Sequence, residues 1–529
     1  MALEAVGNQL TQADPSPTGR LLRFSLALLF IVGVIIYTLY FVDAPVSMTL
    51  VVAAVVGGYM AMGIGANDVA NNVGPSVGAK ALTLGGALII AAIFEAAGAL
   101  IAGGNVVETI RKGIIDPTLI PDAATFVWAM LAALLAAALW LNLATSIGAP
   151  VSTTHSIVGA VLGGGVAAAG FGIADWGLVS KIAASWIISP VMGGVIAAAF
   201  LYIIKHSITY QTDMASAAGR RLPLLVAIMA WAFATYLLVK GLGKIVSVGM
   251  IGALIYGLII AVVVFFLVRP VIGRQSRSID NNKLSVNTLF NVPLIFASAL
   301  LCFAHGSNDV ANAVGPLAAI VDVMSQSDGS IGGQAAIPLW VMLIGALGLS
   351  VGLALFGARV IKTVGTEITD LDQTRAYCIA MAATITVIIA SQLGLPISST
   401  HTAVGAVFGV GFLREYLKTS YARKIDEIKE HHANEEQHVL DEFLREFEQA
   451  SASDKKQMLK DMKRRGKQDK NAVVISKSER KSLRKVNREE LVKRSLVFRI
   501  AAAWIITVPA SGLMAAMLFF MIRGMMLPA

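Results

Sequence analysis

Two short stretches of the chain hold polar side chains that could bind ions amid neighbours that could not. In "GIGANDVANNVGPSVGAK" (63–80), Asn67, Asp68, Asn71 and Asn72 stand among glycine, alanine and aliphatic residues. Gly63, Gly65, Gly74 and Pro75 discourage an unbroken helix there, so freed backbone carbonyls would join the Asn and Asp oxygens in a hard-oxygen cage for a small cation such as sodium. Asn67 and Asn71, four apart, would share a face if the segment is helical. The plainer reading is polar contact that holds helices together. In "GAPVSTTHSIVGAV" (148–161), Ser152, Thr153 and Thr154 follow Pro150 closely and read as a helix start. Hydroxyls and unpaired backbone N–H groups at the positive end of a helix dipole make an anion site. Capping by a single hydroxyl is the simpler use of such residues, and the His155 that follows could contact the ligand, titrate or hold a neighbour in place.

The elements that must position these groups are membrane helices. Of 529 residues, 56% are hydrophobic, 14% are charged and the mean hydropathy is +0.73, so runs of bilayer-spanning length dominate the chain. They lie near 21–42, 46–65, 82–104, 124–146, 178–204, 222–242, 247–268, 288–304, 337–357, 376–394 and 500–522. The first is read as an anchor that is retained, because Asp43, Ala44 and Pro45 lead straight into the next run where a signal peptide would end in a small-residue cleavage site. Cys302 and Cys378, the only cysteines, lie in apolar context and support neither a disulfide framework nor a thiolate metal site.

Comparing the chain with itself shows a duplication. "NDVANNVGP" (67–75) returns as "NDVANAVGP" (308–316), identical at eight of nine positions and offset by 241, which gives Asn308, Asp309 and Asn312 as second copies. "GAPVSTTHSIVGAV" returns as "GLPISSTHTAVGAV" (394–407), which supplies Ser398, Ser399, Thr400 and His401. "KIAASWIISP" (181–190) answers to "RIAAAWIITVP" (499–509). Residues 155 to 186 are 31 apart and 401 to 504 are 103 apart, so the second copy carries about 72 extra residues. These are the charged segment 414–499, which holds 23 of the 42 Lys and Arg and 16 of the 33 Asp and Glu. It reads as a solvated helical insertion, and without interleaved aromatics it is no nucleic-acid site. Basic residues flanking the spans place Arg20 and Arg23, both connectors around the middle pair of spans, and the insertion in the cytoplasm. On that reading the two copies are inverted, although the number of crossings per copy stays open.

Neither polar motif contains Lys or Arg. An anion held there would face neutral donors while Asp68 and Asp309 repel it, so bound cations must supply the missing charge, and each ligand would raise the affinity of the other. That is the physical basis of symport. A membrane-embedded hydrolase using Ser152, His155 and Asp68 is disfavoured because a triad has no use for two full copies. A passive anion channel is the remaining reading.

The paired "NDVAN" motifs, "PVSTTH" with "PISSTH", and "ALTLGGALIIAAIFEAAGAL" followed by "ETIRKGIID" resemble the inorganic phosphate transporter (PiT) family of phosphate permeases. The resemblance covers 46–413 and 499–523. It implies an all-α polytopic membrane protein of two inverted-topology repeats with broken or re-entrant helices, which is not an enzyme. It also implies phosphate on Ser152, Thr153, Thr154, Ser398, Ser399 and Thr400, and cations on Asn67, Asp68, Asn71, Asn308, Asp309 and Asn312. Sodium would sit at Asp68 and Asp309. Glu95 matches a functional glutamate of the family, and by the repeat its counterpart is Gly345; with His155 and His401 it is a candidate coupling residue. The expected organisation is an N-terminal tail and first helix (1–45), repeat one (46–206), connecting helices (207–285), the first part of repeat two (286–413), the cytoplasmic insertion (414–498) and a last helix (499–529). The expected partners are inorganic phosphate, the plasma (inner) membrane bilayer and co-transported sodium or protons, with no other cofactor. A homodimer, sulfate in place of phosphate, and metal–phosphate complexes as cargo are left open.

Overall fold

The computed structural model describes residues 16–42, 47–146, 151–241, 249–326, 336–367, 371–431, 446, 458 and 494–526. Its helices are α1 (Pro17–Tyr40), α2 (Met48–Gly78), α3 (Leu84–Ala102), the short α4 (Gly104–Glu108), α5 (Ala123–Ser146), α6 (Thr153–Ala169), α7 (Trp176–Ile204) and α8 (Met214–Lys240). They continue as α9 (Met250–Arg277), α10 (Lys283–Thr288), α11 (Asn291–Asp309), α12 (Ala311–Met324), α13 (Leu339–Glu367), α14 (Gln373–Gln392), α15 (Ser399–His431) and α16 (Arg494–Met526). Among the described residues, eleven helical stretches are long and apolar enough to cross a membrane, and the chain is an all-α polytopic membrane protein. Among the described residues, β structure is limited to one bridge, Ile115 with Ala174.

Starts are set by side-chain caps: Ser47 accepts from the Leu50 N–H, Thr83 from Gly86, Asp175 from Leu178 and Asp213 from Ser216. The outward faces of α1 and α9 remain apolar and exposed, as with Leu28, Leu29, Ile255 and Phe266, which suits a lipid solvent.

Glycines show how the two copies lock together. Added at Gly163 of α6, a Cβ would run into the Gly512 carbonyl of α16; added at Gly409 of α15, it would run into that of Gly194 in α7. By the repeat, 163 corresponds to 409 (offset 246) and 194 to 512 (offset 318), so these are one contact made twice with the copies exchanged. Gly159 on Val508 and Gly405 on Pro190 repeat the pattern, as do Gly98 on Phe303 and Gly352 on Met62. Each copy therefore packs its small-residue faces against the other copy, the close approach that stabilises helices in lipid.

The same contacts revise one correspondence. Gly65 lies on the Leu349 carbonyl and Gly306 on that of Glu95, which makes Leu349, one helical turn beyond Gly345, the counterpart of Glu95. Alignment within a run of small apolar residues slips easily by one turn, because the packing pattern nearly repeats there.

Two further differences from the sequence reading concern continuity. The first Asn-Asp motif sits inside the unbroken helix α2, where glycines serve close packing and do not interrupt it. In the second copy α11 and α12 meet at Val310, which keeps helical dihedrals (φ −56°, ψ −31°) and bonds its N–H to the Gly306 carbonyl, so the two follow on as one helical stretch. The charged insertion begins as a continuation of α15 to His431; beyond that, apart from residues 446 and 458, it lies outside the described residues up to 494.

Candidate functional site

Five helices converge on the polar centre, α12 among them with Asn312. α2 brings Asp68 and Asn71 and α11 brings Asp309, while α6 and α15 begin at the hydroxyl motifs. Ser152 and Ser398 act as caps: their hydroxyls accept from the His155 N–H at 3.2 Å and the His401 N–H at 3.1 Å. Their Oγ atoms are thus engaged with main chain, whereas Thr153, Thr154, Ser399 and Thr400 project onward in the first turns.

Those four hydroxyls meet the acids and amides of both copies. Thr153 donates to Asp68 Oδ2 at 2.9 Å, and its counterpart Ser399 donates to Asp309 Oδ2 at 2.9 Å. Across the copies, Asn71 Nδ2 donates to Thr400 Oγ1 at 2.9 Å and Asn312 Nδ2 to Thr154 Oγ1 at 3.2 Å. Symmetry then fails: Thr400 donates on to Asp68 Oδ1 at 3.2 Å, while Thr154 turns to the Ile397 carbonyl at 2.9 Å. Asp68 thus accepts from both copies. Asp68, Asp309, Thr153, Thr154, Ser399 and Thr400 are all buried.

His305, which the sequence reading missed, stands at the point of asymmetry. It is fully buried on α11, with Nε2 3.1 Å from Asp309 Oδ2 and 3.9 Å from Asp68 Oδ2, and Nδ1 3.3 Å from Glu95 Oε1. Glu95 Oε1 also accepts from Asn72 Nδ2 at 2.8 Å, which joins the glutamate to the central cluster. Asp68, His305 and Asp309 each offer a ligand atom within 4.8 Å of the others, so they could hold a cation. The duplication could not flag His305, since its counterpart (305 − 241) is Ile64. Its place four residues before Asp309, one helical turn away, was the available signal.

The segment 394–397, "GLPI", runs just ahead of the second hydroxyl motif, and each of its four carbonyls accepts from a side chain. Thr109 donates to Gly394 at 2.7 Å, Asn308 to Leu395 at 3.1 Å, Trp186 to Pro396 at 3.1 Å and Thr154 to Ile397. Asn308 also accepts from the Ile397 N–H at 3.3 Å. Asn308 therefore holds the strap, while Asn67, one turn before Asn71, is half-buried. Gly394 has φ +67°, a conformation that glycine adopts without strain. A cavity of about 720 Å³ adjoins the strap at Gly394 and is lined also by Asn105, Thr109, Lys112 and Gln392 among others. His155 and His401 stack edge to face at 4.4 Å, with Trp186 3.8 Å from His155, a ring cluster behind the hydroxyl turns. The expected residue Pro150 lies outside the described residues.

Among the described residues, no Lys or Arg is hydrogen-bonded or ion-paired to Asp68 or Asp309. A buried, two-fold arrangement of acids, amides and hydroxyls within crossing helices defines a polytopic membrane permease. The model of the phosphate transporter family matches residues 64–515, and the chain belongs to that family, whose members are transporters and not enzymes. It is 50% identical over 504 residues, 94% of each chain, to a protein of Helicobacter pylori strain J99 named as a phosphate permease. It is 38% identical over 370 residues to one from Pyrococcus horikoshii, covering 70% of this chain and 90% of that one. Among solved structures it is similar to a sodium-dependent phosphate transporter, with a TM-score of 0.72 and 28% identity, over 91% of this chain and 100% of the other.

Proposed function

We propose that the protein imports inorganic phosphate by symport with sodium. The observation that carries this reading is that Asp68 accepts from hydroxyls of both copies, Thr153 and Thr400, while Asp309 accepts from Ser399 of its own copy. A cation between the two carboxylates would draw on their oxygens and release Thr153, Ser399 and Thr400 to donate to an anion. Phosphate would then be held by those hydroxyls and by Asn71 and Asn312, and the cation would offset the repulsion between acid and anion. The sodium dependence of the similar solved transporter supports sodium as the partner ion.

The two copies are read as inverted repeats. In support, Gly57 lies on Leu317 and Ser76 bonds to Ser298, so α2 and its repeat counterpart α11–α12 run antiparallel; the pair Arg111–Asp322 (2.6 Å) and the pair Lys283–Asp372 mark opposite ends of the stretch Lys283–Met324. The second pair faces the cytoplasm of the plasma (inner) membrane, as does the charged segment 414–498. Alternating access then exposes one shared site to each side in turn.

Uptake of radiolabelled phosphate by proteoliposomes tests the reading. Accumulation driven by an inward sodium gradient is the expected result. Accumulation with a proton gradient alone would replace sodium by protons, and equal inhibition by sulfate would remove phosphate selectivity.

A further inference from the structure

We propose that the amide oxygen of Asn312 accepts a hydrogen bond from the hydroxyl of a protonated tetrahedral oxyanion, and that this bond separates hydrogen phosphate from sulfate. The inference rests on the phosphate reading above and names the group that enforces it.

Asn312 lies on α12 and is 1% exposed. Its Nδ2 is 3.2 Å from Thr154 Oγ1 and 3.4 Å from Thr153 Oγ1. A threonine hydroxyl carries a single proton. Thr154 gives its proton to the Ile397 carbonyl and Thr153 gives its own to Asp68 Oδ2. Both hydroxyls can therefore only accept from Asn312, which fixes the amide with Nδ2 toward them and Oδ1 away. The Thr154 bond goes to main chain, so a cation that releases Thr153 from Asp68 leaves this orientation in place. Oδ1 is buried, and no group among the described residues donates to it. A buried acceptor without a donor is costly, and an anion held on the neighbouring hydroxyls can supply the missing proton.

Asp309 Oδ1, three residues earlier and on the same side of the helical stretch, is also buried without a donor. The two oxygens suit different ligands. The charged one suits a cation, whereas the neutral one can face an anion without the repulsion of a carboxylate. The hydroxyls of Thr153, Ser399 and Thr400 would serve the bare oxygens of phosphate and sulfate alike. Against Asn312 Oδ1, hydrogen phosphate can place its hydroxyl, but sulfate can place only an oxygen, which sets two acceptors face to face. A site built to bond a substrate hydroxyl rejects the analogue that lacks it far more strongly than a site that sorts by size.

Displacement of radiolabelled phosphate from the purified full chain tests this, in saturating sodium at mildly alkaline pH. The competitors are arsenate, which keeps a hydroxyl, sulfate, and monofluorophosphate. The last has the shape and double charge of hydrogen phosphate with fluorine in place of the hydroxyl, so it lacks the proton. Sulfate and monofluorophosphate should compete about a hundredfold less well than arsenate. In Asn312→Ala that gap should shrink to about threefold, and Asn312→Leu, which keeps the volume, replaces it if the first variant does not fold. Monofluorophosphate that competes as well as arsenate in the wild-type protein overturns the proposal. An unchanged gap in a folded variant also overturns it, and if the half-saturating sodium concentration rises at the same time, Oδ1 belongs to the cation. Wild-type protein that binds no phosphate would overturn the phosphate reading and this proposal with it, a failure that shows before any competitor is added.

Discussion

Replacing Asp68 by asparagine keeps the shape of the side chain and removes one negative charge from the centre of the site. Asp68, His305 and Asp309 offer ligand atoms within 4.8 Å of one another, so a cation among them lies within about 4 Å of both carboxylates. At that distance, with an effective dielectric constant of about 20, one unit charge contributes about 4 kcal/mol. Its loss should raise the half-saturating sodium concentration by roughly a thousandfold, beyond any accessible concentration. The fold should survive, because Thr153 and Thr400 are hydroxyls and can reorient toward a carboxamide. The assay is the sodium dependence of phosphate uptake in proteoliposomes, with the thermal midpoint of the purified variant as the folding control. Wild-type sodium dependence in a folded Asp68→Asn protein would refute the reasoning, because a cation lying between the two carboxylates must feel the loss of either charge.

Further expectations follow from packing and from single bonds. Gly409→Leu would force a side chain into the Gly194 backbone and should destabilise the protein by about 3 kcal/mol; an unchanged thermal midpoint would show that α7 and α15 do not pack as described. Trp186→Phe removes the donor to the Pro396 carbonyl, at a cost of about 1 kcal/mol. A cysteine placed at Leu395 should then react faster with a maleimide, against a low background because Cys302 and Cys378 are both buried. Deleting 420–490 should leave transport intact, and complete loss of uptake with normal membrane insertion would make the insertion part of the transport machinery. The Thr125 N–H and hydroxyl, both bonded to Asp122, hold its carboxyl below the usual carboxylate range. Its stabilising effect should be full above the unfolded value of about 3.9 and fade as pH falls through the lower folded value. Asp122→Ala should accordingly cost about 1 kcal/mol at pH 7, with the difference shrinking below pH 4 in thermal denaturation.

Composition and self-comparison made much of this legible. The apolar runs mark the spans, and the repeated motifs mark the residues that the structure gathers: Asp68 and Asp309 with Thr153, Thr154, Ser399 and Thr400. Partner choice was not legible, because spacing puts Thr400 on a helix face without saying that it reaches Asp68 of the other copy. Ser152 and Ser398 follow the commoner use of a hydroxyl at a helix start, which is to cap it. The unbroken course of α2 follows from packing: glycine costs a helix roughly 1 kcal/mol, and here it lets the α13 backbone lie against Gly65. His305 escaped because duplication was the filter. A residue that breaks the symmetry of a repeat is invisible to a search for what the repeat preserves, and His305, between Asp68, Asp309 and Glu95, is such a residue.

The central claim is that the acids and hydroxyls of the two motifs bind cation and phosphate interdependently. Equilibrium binding of radiolabelled phosphate to the purified protein across a sodium series, paired with sodium binding across a phosphate series, tests it directly. The two affinities should rise by the same factor, as linkage requires, and the effect should vanish in Asp309→Asn. Phosphate binding that ignores sodium in the wild-type protein would contradict the account.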